Sequence, residues 1–473
     1  MELTKSFLDL LSVFCLVFTA PTFQTFVQIC SGWVLSHRHR FITDVIFSGG
    51  NVANGHWSRF HRFFSDAAWD LDTLNMLLAR LVVRILCPTG IILLAVDDTL
   101  CRKRGLTIYG AGMHHDPLIS SKAKPLVSWG HDWVVLSILI VHPFWAPTKV
   151  FALPIAERLY KNLQGLTKGK KKLTSANSTT PSERKVKKAK PPADHRTRPQ
   201  LAVELISLAA SWFPDRDIVV SGDSAYGGKS VLSKLPANVH LISHVHCKGA
   251  LYEPLPPANP DIASQGKKAG QGRPRKKGAR LPNMIEWAND AAKPWTELTF
   301  DQFGLHATLQ VKTQQALYYK AGGSRRLTIV LTRDKLGKRP DQMFYCTNLD
   351  WNVRQILATY AYRWAIECTF ENCKQFLGLE DPANRVRQAV SRTAPMAFFL
   401  YSMIVVWFQT LGHSLLKFPE RPWYRHKKEP SFADMLTTLR QQTYESITAT
   451  LPLKEKSHKN WLACLTRLLS RTG

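Results

Sequence analysis

The chain has 473 residues and an ordinary globular composition, but an unusual charge. Its 45% hydrophobic and 21% charged residues exclude a wholly disordered chain, and its length predicts about two to four domains. Sixty-three lysines and arginines against 35 aspartates and glutamates give a net charge of +28. This excess predicts a polyanionic partner, with nucleic acid first and an anionic membrane second.

The cysteines and the apolar runs argue against two other classes of protein. Nine cysteines without a C-x-x-C pair are atypical of a disulfide scaffold and favour a reducing, cytoplasmic compartment. The N-terminal run SFLDLLSVFCLVFTAPTF contains an aspartate, which is atypical of a signal peptide. The apolar run 396–408 is shorter than the ~20 residues that span a membrane. Both runs predict buried helices, and no membrane partner is expected.

Residues 1–88 predict a helical N-terminal domain. Apolar residues recur at helical spacing from Phe60 to Val82. Basic and aromatic residues alternate in SHRHRF (36–41) and HWSRFHRFF (56–64). This mixture fits a DNA-binding module, and it equally fits the solvent-facing side of an amphipathic helix.

Residues 89–245 predict the first part of an α/β core. Apolar strands are predicted over 90–98, 133–141 and 148–155. A helix over 200–213, a strand before Asp223, a short helix and a strand over 239–245 follow. This order predicts a mixed sheet that begins antiparallel and continues parallel.

The rest of the chain predicts an insertion, a second part of the core and a tail. Residues 246–346 contain several runs of strand-forming residues and predict a β-rich insertion. Residues 347–411 predict one long helix ending at Leu377 and a buried helix over 394–411. Residues 412–473 predict a basic tail that is helical in parts.

Two segments without apolar periodicity hold most of the excess charge. Residues 161–200 carry 12 basic and two acidic residues, and residues 264–280 carry seven basic residues and no acid. Their composition predicts flexible loops. They are either solvated linkers or tethers that neutralise DNA phosphates without reading the base sequence.

Acidic residues lie at three special places of the predicted core. Asp97 and Asp98 end the first strand, Asp223 follows the fourth, and Glu367 lies within the long helix. A carboxylate at the end of an apolar strand costs free energy unless it is paired or binds a cation. Neighbouring strands and a packed helix can bring three carboxylates together. Two Mg²⁺ ions would neutralise such a cluster and suit in-line attack on a phosphodiester.

A helical wheel places four polar residues of the long helix within a stripe about 60° wide: Tyr360, Arg363, Glu367 and Lys374. A carboxylate between two cations would put a metal ligand between two phosphate-binding groups. The stripe would equally fit a solvent-facing side with intrahelical ion pairs.

These residues resemble a known family. The spacing Tyr360-x2-Arg363-x3-Glu367-x6-Lys374 is similar to the Y-R-E-K signature of DDE transposases from bacterial insertion sequences. The runs AVDDT and VVSGDSAY resemble the two aspartate motifs of that family. With HWSRFHRFF and GHDWVVL, the resemblance covers roughly residues 20–400.

The resemblance implies a fold and a reaction. The fold is an α/β, ribonuclease-H-like mixed sheet interrupted by the β-rich insertion, with an N-terminal helical domain and a C-terminal helical tail. The reaction is cut-and-paste transposition with two Mg²⁺ or Mn²⁺ ions: cleavage at the inverted-repeat ends and transfer of the 3′-hydroxyl ends into target DNA. A homodimer on double-stranded DNA would hold both ends in the bacterial cytoplasm, at the nucleoid.

The resemblance also implies catalytic metal ligands, namely Asp97, Asp223 and Glu367. The family's Asp-x-Thr/Ser spacing, matched by Thr99, favours Asp97, with Asp98 as the alternative. Asp98 would point to the opposite face of the strand.

Several side chains are implied to bind DNA. The phosphate-binding members of the signature are Tyr360, Arg363 and Lys374. Three further cations follow the first aspartate motif and could reach a DNA backbone: Arg102, Lys103 and Arg104. Trp287 and Trp295 of the insertion are candidates for holding a flipped base if excision passes through a DNA hairpin. Asp132 is interpreted as structural.

Two other functions stay open. The chain could be a DNA-binding protein descended from a transposase, without catalysis. It could also be a nuclease of the same core fold that never joins strands.

Overall fold

The computed structural model describes residues 2–50, 55–121, 123–162, 195–255, 275–302, 305–418 and 426–449. Most of the two predicted basic loops lies outside the described residues, at 163–194 and 256–274, as does the tail beyond residue 449.

The N-terminal region is helical, as its apolar spacing predicts. Its helices are α1 (Lys5–Ser12), a 3-10 turn (Val13–Val17), α2 (Ala20–Leu35), α3 (Ile42–Ser48), α4 (Ser58–Ser65) and α5 (Leu71–Leu86). The phenylalanines of HWSRFHRFF are buried in the core: Phe60, Phe63 and Phe64. Arg40 of SHRHRF is also buried, and its Nη2 donates to the carbonyl of Phe376 (2.6 Å). Part of each basic and aromatic run therefore packs inside the protein.

Ten strands of the described chain form one sheet. They are β1 (Ile92–Arg102), β2 (Gly112–His115), β3 (Val127–Val141), β4 (Val150–Tyr160), β5 (Ile218–Gly222), β6 (Val239–His244), β7 (Thr296–Gln302), β8 (Leu305–Leu317), β9 (Arg326–Arg333) and β10 (Gln342–Cys346). Strands β1, β3 and β5 read as near-continuous apolar runs because helices cover both faces of the sheet there.

The core of the sheet has the order β4-β3-β1-β5-β6. The pairs β1–β3 and β3–β4 are antiparallel, whereas β1–β5 and β5–β6 are parallel. This antiparallel start and parallel continuation confirm the predicted mixed α/β, ribonuclease-H-like core.

The strands of the insertion continue the same sheet. β10 pairs antiparallel with β6, and β9, β8 and β7 follow in that order. The β-rich insertion thus interrupts the core in the sequence, but its strands extend the core sheet in the structure. This arrangement covers the edge of β6, whose backbone groups would otherwise lack strand partners.

The remaining helices pack around this sheet. They are α6 (Arg198–Trp212), α7 (Lys229–Leu232), α8 (Met284–Asn289), α9 (Tyr319–Gly322), α10 (Val353–Tyr362), α11 (Trp364–Leu377), α12 (Arg387–Thr393), α13 (Pro395–Trp407), a π turn (Phe408–Gly412), α14 (His413–Leu415) and α15 (Phe432–Ala449).

The predicted long helix ending at Leu377 is wrong in one respect, because the structure has two helices that meet at Arg363. Tyr360 therefore belongs to α10, and Glu367 and Lys374 belong to α11. Helix α11 ends at Leu377 and is capped by Gly378, whose left-handed backbone (φ 60°) favours glycine.

The apolar run near residue 400 is a core helix. Every side chain of α13 is buried. The stretch Arg387–Leu415 is long and apolar enough to cross a membrane, but 83% of its most apolar window is buried inside the protein. Such burial is typical of a core helix, and the predicted buried helix is confirmed.

Candidate active site

The sheet brings two of the predicted acids to adjacent positions. In the parallel pair β1–β5, Val96 lies opposite Gly222. Asp97 follows Val96 and Asp223 follows Gly222, so the two carboxylates lie near each other.

The turn after β5 holds Asp223 in place. Ser243 of β6 donates its hydroxyl to the carbonyl of Asp223 (2.7 Å), and Ala225 N donates to the Asp223 carboxylate (2.9 Å). Gly227 is required here, because a Cβ at this position would lie 2.3 Å from the Ser243 hydroxyl. The glycine in this turn thus lets β6 support the second aspartate.

Arg363 joins the third acid to the first. Its Nη1 lies 2.5 Å from Asp97 Oδ2, and its Nη2 lies 3.1 Å from Glu367 Oε1. The guanidinium is only 13% exposed, and its Nε makes no hydrogen bond to any described residue. A largely desolvated cation thus lies between two of the predicted catalytic carboxylates.

Burial dominates the electrostatics of Asp97. It raises the pKa of the carboxyl to about 7, while Arg363 opposes this shift and the neighbouring Asp98 and Asp223 add to it. This carboxyl needs a cation beside it to stay ionised near neutral pH. Arg363 lies beside it in the structure and lowers the pKa, but burial outweighs this effect.

Asp98 has different partners. Tyr226 donates its hydroxyl to Asp98 Oδ1 (2.7 Å), and Arg198 Nε lies 3.4 Å from Oδ2. Burial, and next the negative charge of Asp132, raise the pKa of Asp98 to about 6. Asp97 is therefore the residue in contact with the arginine of the signature, which agrees with the preference for Asp97 from the motif spacing.

A second charged network adjoins the acids. Arg198 Nε donates to Asp132 Oδ2 (2.6 Å), and His114 Nδ1 lies 3.3 Å from the same oxygen. Asp132 and His114 are buried. These contacts agree with the interpretation of Asp132 as structural.

Sequence reasoning did not single out Tyr226 or Arg198. Tyr226 lies three residues after Asp223, within the motif VVSGDSAY, so its proximity to the second aspartate could have identified it as a site residue. Arg198 carries no comparable signal, because it is one of several basic residues around the start of α6 and only the tertiary structure brings it to Asp98.

The signature tyrosine is packed inward. The Tyr360 ring lies 4.8 Å from the rings of both His244 and Phe344 and 5.8 Å from the Arg363 guanidinium carbon. Burial raises its pKa to about 12. Lys374 Nζ donates to the carbonyl of Leu100 in β1 (2.7 Å), so it ties α11 to the sheet.

The three cations after the first aspartate motif differ in their surroundings. Arg102 Nε contacts Asp116 (2.8 Å), and the Arg102 side chain is 46% exposed. Lys103 is half-buried and donates to the carbonyls of Glu380 (2.7 Å) and Pro382 (3.0 Å). Arg104 is exposed. The Lys103 ammonium is thus engaged within the protein, whereas Arg102 and Arg104 face solvent.

The two tryptophans that were candidates for holding a flipped base both contact other parts of the protein. Trp287 is only 1% exposed. The ring of Trp295 has the Lys312 ammonium at 4.8 Å and the Arg333 guanidinium carbon at 4.5 Å.

The donor chemistry of the site fits divalent cations. Carboxylate oxygens are the ligands that Mg²⁺ and Mn²⁺ prefer, and the carboxylates of Asp97, Glu367 and Asp223 all interact electrostatically with Arg363. Among the described residues, no group of three acids, histidines or cysteines is spaced to hold a metal as it stands. The Arg363 guanidinium stands in for a cation between Asp97 and Glu367.

Comparison with known proteins identifies a family. A family model described as DDE superfamily endonuclease matches residues 17–321, a range that contains Asp97 and Asp223 and ends before Glu367. No curated protein matches the chain. A cryo-EM structure of a piggyBac transposase synaptic complex with hairpin DNA is similar at 11% identity and a TM-score of 0.37. That match covers 98% of this chain and 82% of the other.

Proposed function

Since the chain belongs to the DDE superfamily of endonucleases, we propose that it is a DNA transposase of the insertion-sequence type. It would cleave DNA at the inverted-repeat ends of its element and join the 3′-hydroxyl ends to target DNA. The observation that carries this proposal is the convergence of Asp97, Asp223 and Glu367 around Arg363.

The three acids would be the metal ligands. Two Mg²⁺ or Mn²⁺ ions would supply activation of the attacking oxygen and stabilisation of the leaving oxygen. The protein itself positions the ligands. The β1–β5 pairing sets Asp97 beside Asp223, and α11 sets Glu367 across from them.

Neighbouring side chains would keep this arrangement ready. Tyr226 and Arg198 contact both carboxylate oxygens of Asp98, which fixes the orientation of that side chain. Arg363 lies where a guanidinium could exchange a carboxylate for a DNA phosphate, because both anions suit its planar donors. We propose phosphate contacts for Tyr360, Arg363 and Lys374 because their spacing resembles the Y-R-E-K signature.

The partner would be double-stranded DNA, bound by a homodimer that holds both element ends in the cytoplasm. The net charge of +28 favours phosphate neutralisation. Binding should therefore weaken steeply as salt rises.

A plasmid excision assay tests the proposal. Asp97→Asn, Asp223→Asn and Glu367→Gln should each reduce excision by at least about 100-fold, because each removes a charged ligand that the reaction needs. The matched control is Glu371→Gln, an exposed glutamate one turn further along α11, which should excise like wild type. Excision by all three variants at the wild-type level would refute the proposal.

A strand-joining assay separates the alternatives. Wild-type protein, labelled element ends, Mg²⁺ and target DNA should give joined products. Cleaved ends without joining would favour a nuclease, and binding without any nicking would favour a DNA-binding protein that has lost catalysis.

A further inference from the structure

A group of cationic and aromatic side chains lies beyond the candidate active site, at the far ends of β1 and α11. We call this group the basic strip, and its members are Arg102, Arg104, Tyr109, Lys161, Arg385 and Arg387. The four arginines are exposed, and Tyr109 and Lys161 are half-exposed.

The segment 380–387, which carries two of these arginines, is tied to the elements of the active site. Lys103 Nζ donates to the carbonyls of Glu380 and Pro382. The Glu380 carboxylate accepts from the backbone N–H of Arg102 (2.9 Å) and lies 4.0 Å from Lys374 Nζ. Contacts from both β1 and α11 therefore order this segment before any partner binds, which lowers the entropic cost of binding.

Tyr109 joins the two sides of the strip. Its backbone N–H donates to the carbonyl of Arg385 (3.0 Å). Its ring has the Lys161 ammonium at 5.6 Å and the Arg387 guanidinium carbon at 6.0 Å, distances typical of cation–π contacts. Two cations thus lie near the ring of one half-exposed tyrosine, and a backbone hydrogen bond joins that tyrosine to the segment that carries Arg385.

The charge of the strip is poorly balanced. Arg102 contacts the buried Asp116. Within the described part of the chain, no carboxylate makes an ion pair with Arg104, Arg385 or Arg387. Like charges held close together repel one another and therefore destabilise the fold. Three arginines that are held in place without a described carboxylate partner fit an external polyanion.

The distance between the strip and the acids suits a DNA duplex. Five residues of extended strand separate Asp97 from Arg102, a path of about 17 Å. Ten helical residues separate Glu367 from the end of α11 at Leu377, about 15 Å. B-form DNA carries two phosphates per about 3.4 Å of axis, so this path would follow about five base pairs.

We propose that the basic strip binds the phosphate backbone of the duplex about five base pairs from the cleavage point. This inference rests on the proposed function, because it takes the three acids as the point of cleavage. The strip contacts phosphates and reads no bases, so it holds DNA of any sequence at that distance.

The test compares two triple variants with the same change in charge. The strip variant is R102Q/R385Q/R387Q. The control variant is K335Q/K338Q/R339Q, which changes exposed residues of the segment between β9 and β10. Binding of each protein to a labelled 30-base-pair duplex is measured between 50 and 200 mM salt, after circular dichroism and thermal unfolding confirm the fold.

A plot of log affinity against log salt has a negative slope. In the strip variant this slope should be shallower than in wild type by about 2 to 3, since each lost phosphate contact accounts for about 0.9. The control should lie within about 0.5 of wild type. Equal slopes for the two variants would overturn the inference. Tighter binding of wild type to anionic vesicles than to the duplex would also overturn it.

Cleavage separates this inference from the proposed function. If wild type cleaves element ends and the strip variant keeps the wild-type salt slope, the strip inference fails and the proposed function stands. If wild type binds through the strip but cleaves no DNA, the proposed function fails instead.

Discussion

Asp97→Asn should stabilise the metal-free protein while it abolishes cleavage. Burial raises the pKa of Asp97 from its ordinary 3.8 to about 7. Between about pH 4 and about pH 7, the folded chain keeps a proton that the unfolded chain releases. The free energy of unfolding of the wild type therefore falls as the pH rises through that window, because of this group. Above about pH 7 the contribution of the group is constant. Asparagine does not titrate, so the variant lacks this loss.

The structure sets the size of the effect. A shift of about three pKa units corresponds to at most ~4 kcal/mol, at ~1.4 kcal/mol per unit. The substitution also removes the charged partner of Arg363 at 2.5 Å, which costs about 1–3 kcal/mol. The net gain at pH 8 should be about 1–3 kcal/mol, or a rise in Tm of about 1–4 °C, and it should vanish near pH 5.

Thermal unfolding in EDTA at several pH values measures this difference. Asp215→Asn, at an exposed carboxylate, is the control and should follow wild type at every pH. Adding Mg²⁺ should stabilise wild type more than Asp97→Asn, because the variant lacks one proposed ligand. If the Tm of wild type and the Tm of Asp97→Asn changed in parallel from pH 5 to pH 8, the reasoning on the buried carboxyl would be refuted.

Three further predictions test other parts of the structure. Tyr226→Phe should slow cleavage about tenfold without loss of folding, because Asp98 loses a hydroxyl donor at 2.7 Å; single-turnover kinetics measure it. Gly378→Ala should cost about 1–2 kcal/mol in chemical denaturation, because its φ is 60° and the new Cβ would lie 2.3 Å from Asp381 Oδ2. Glu157→Gln should raise Tm at pH 8.5 but not at pH 5, because burial raises the pKa of Glu157 to about 7.

Local sequence predicted most of the core. Strands β1, β3, β4, β5 and β6 were predicted because buried strands require continuous apolar runs, and such runs are visible without tertiary information. The carboxylates at strand ends were conspicuous for the same reason, since an acid after an apolar run is costly. The Y-R-E-K spacing then pointed to Glu367 among the other glutamates of the helix.

The sequence did not show where the helix would break or how the sheet would extend. Two helices meeting at Arg363 have nearly the same apolar periodicity as one, so spacing alone does not separate them. The pairing of β10 with β6 joins strands about 100 residues apart, and no local pattern encodes such a register.

The sequence by itself determined which groups the candidate site contains: three acids in order, the arginine and lysine near the third acid, and an excess of positive charge. Only the tertiary structure decided which groups meet. In the folded protein Arg363 lies between Asp97 and Glu367. Asp98 contacts Tyr226 and Arg198 instead. Lys103 binds the segment that carries two arginines of the basic strip. The physical reason is that charges pair through space, between residues that the chain separates by up to several hundred positions.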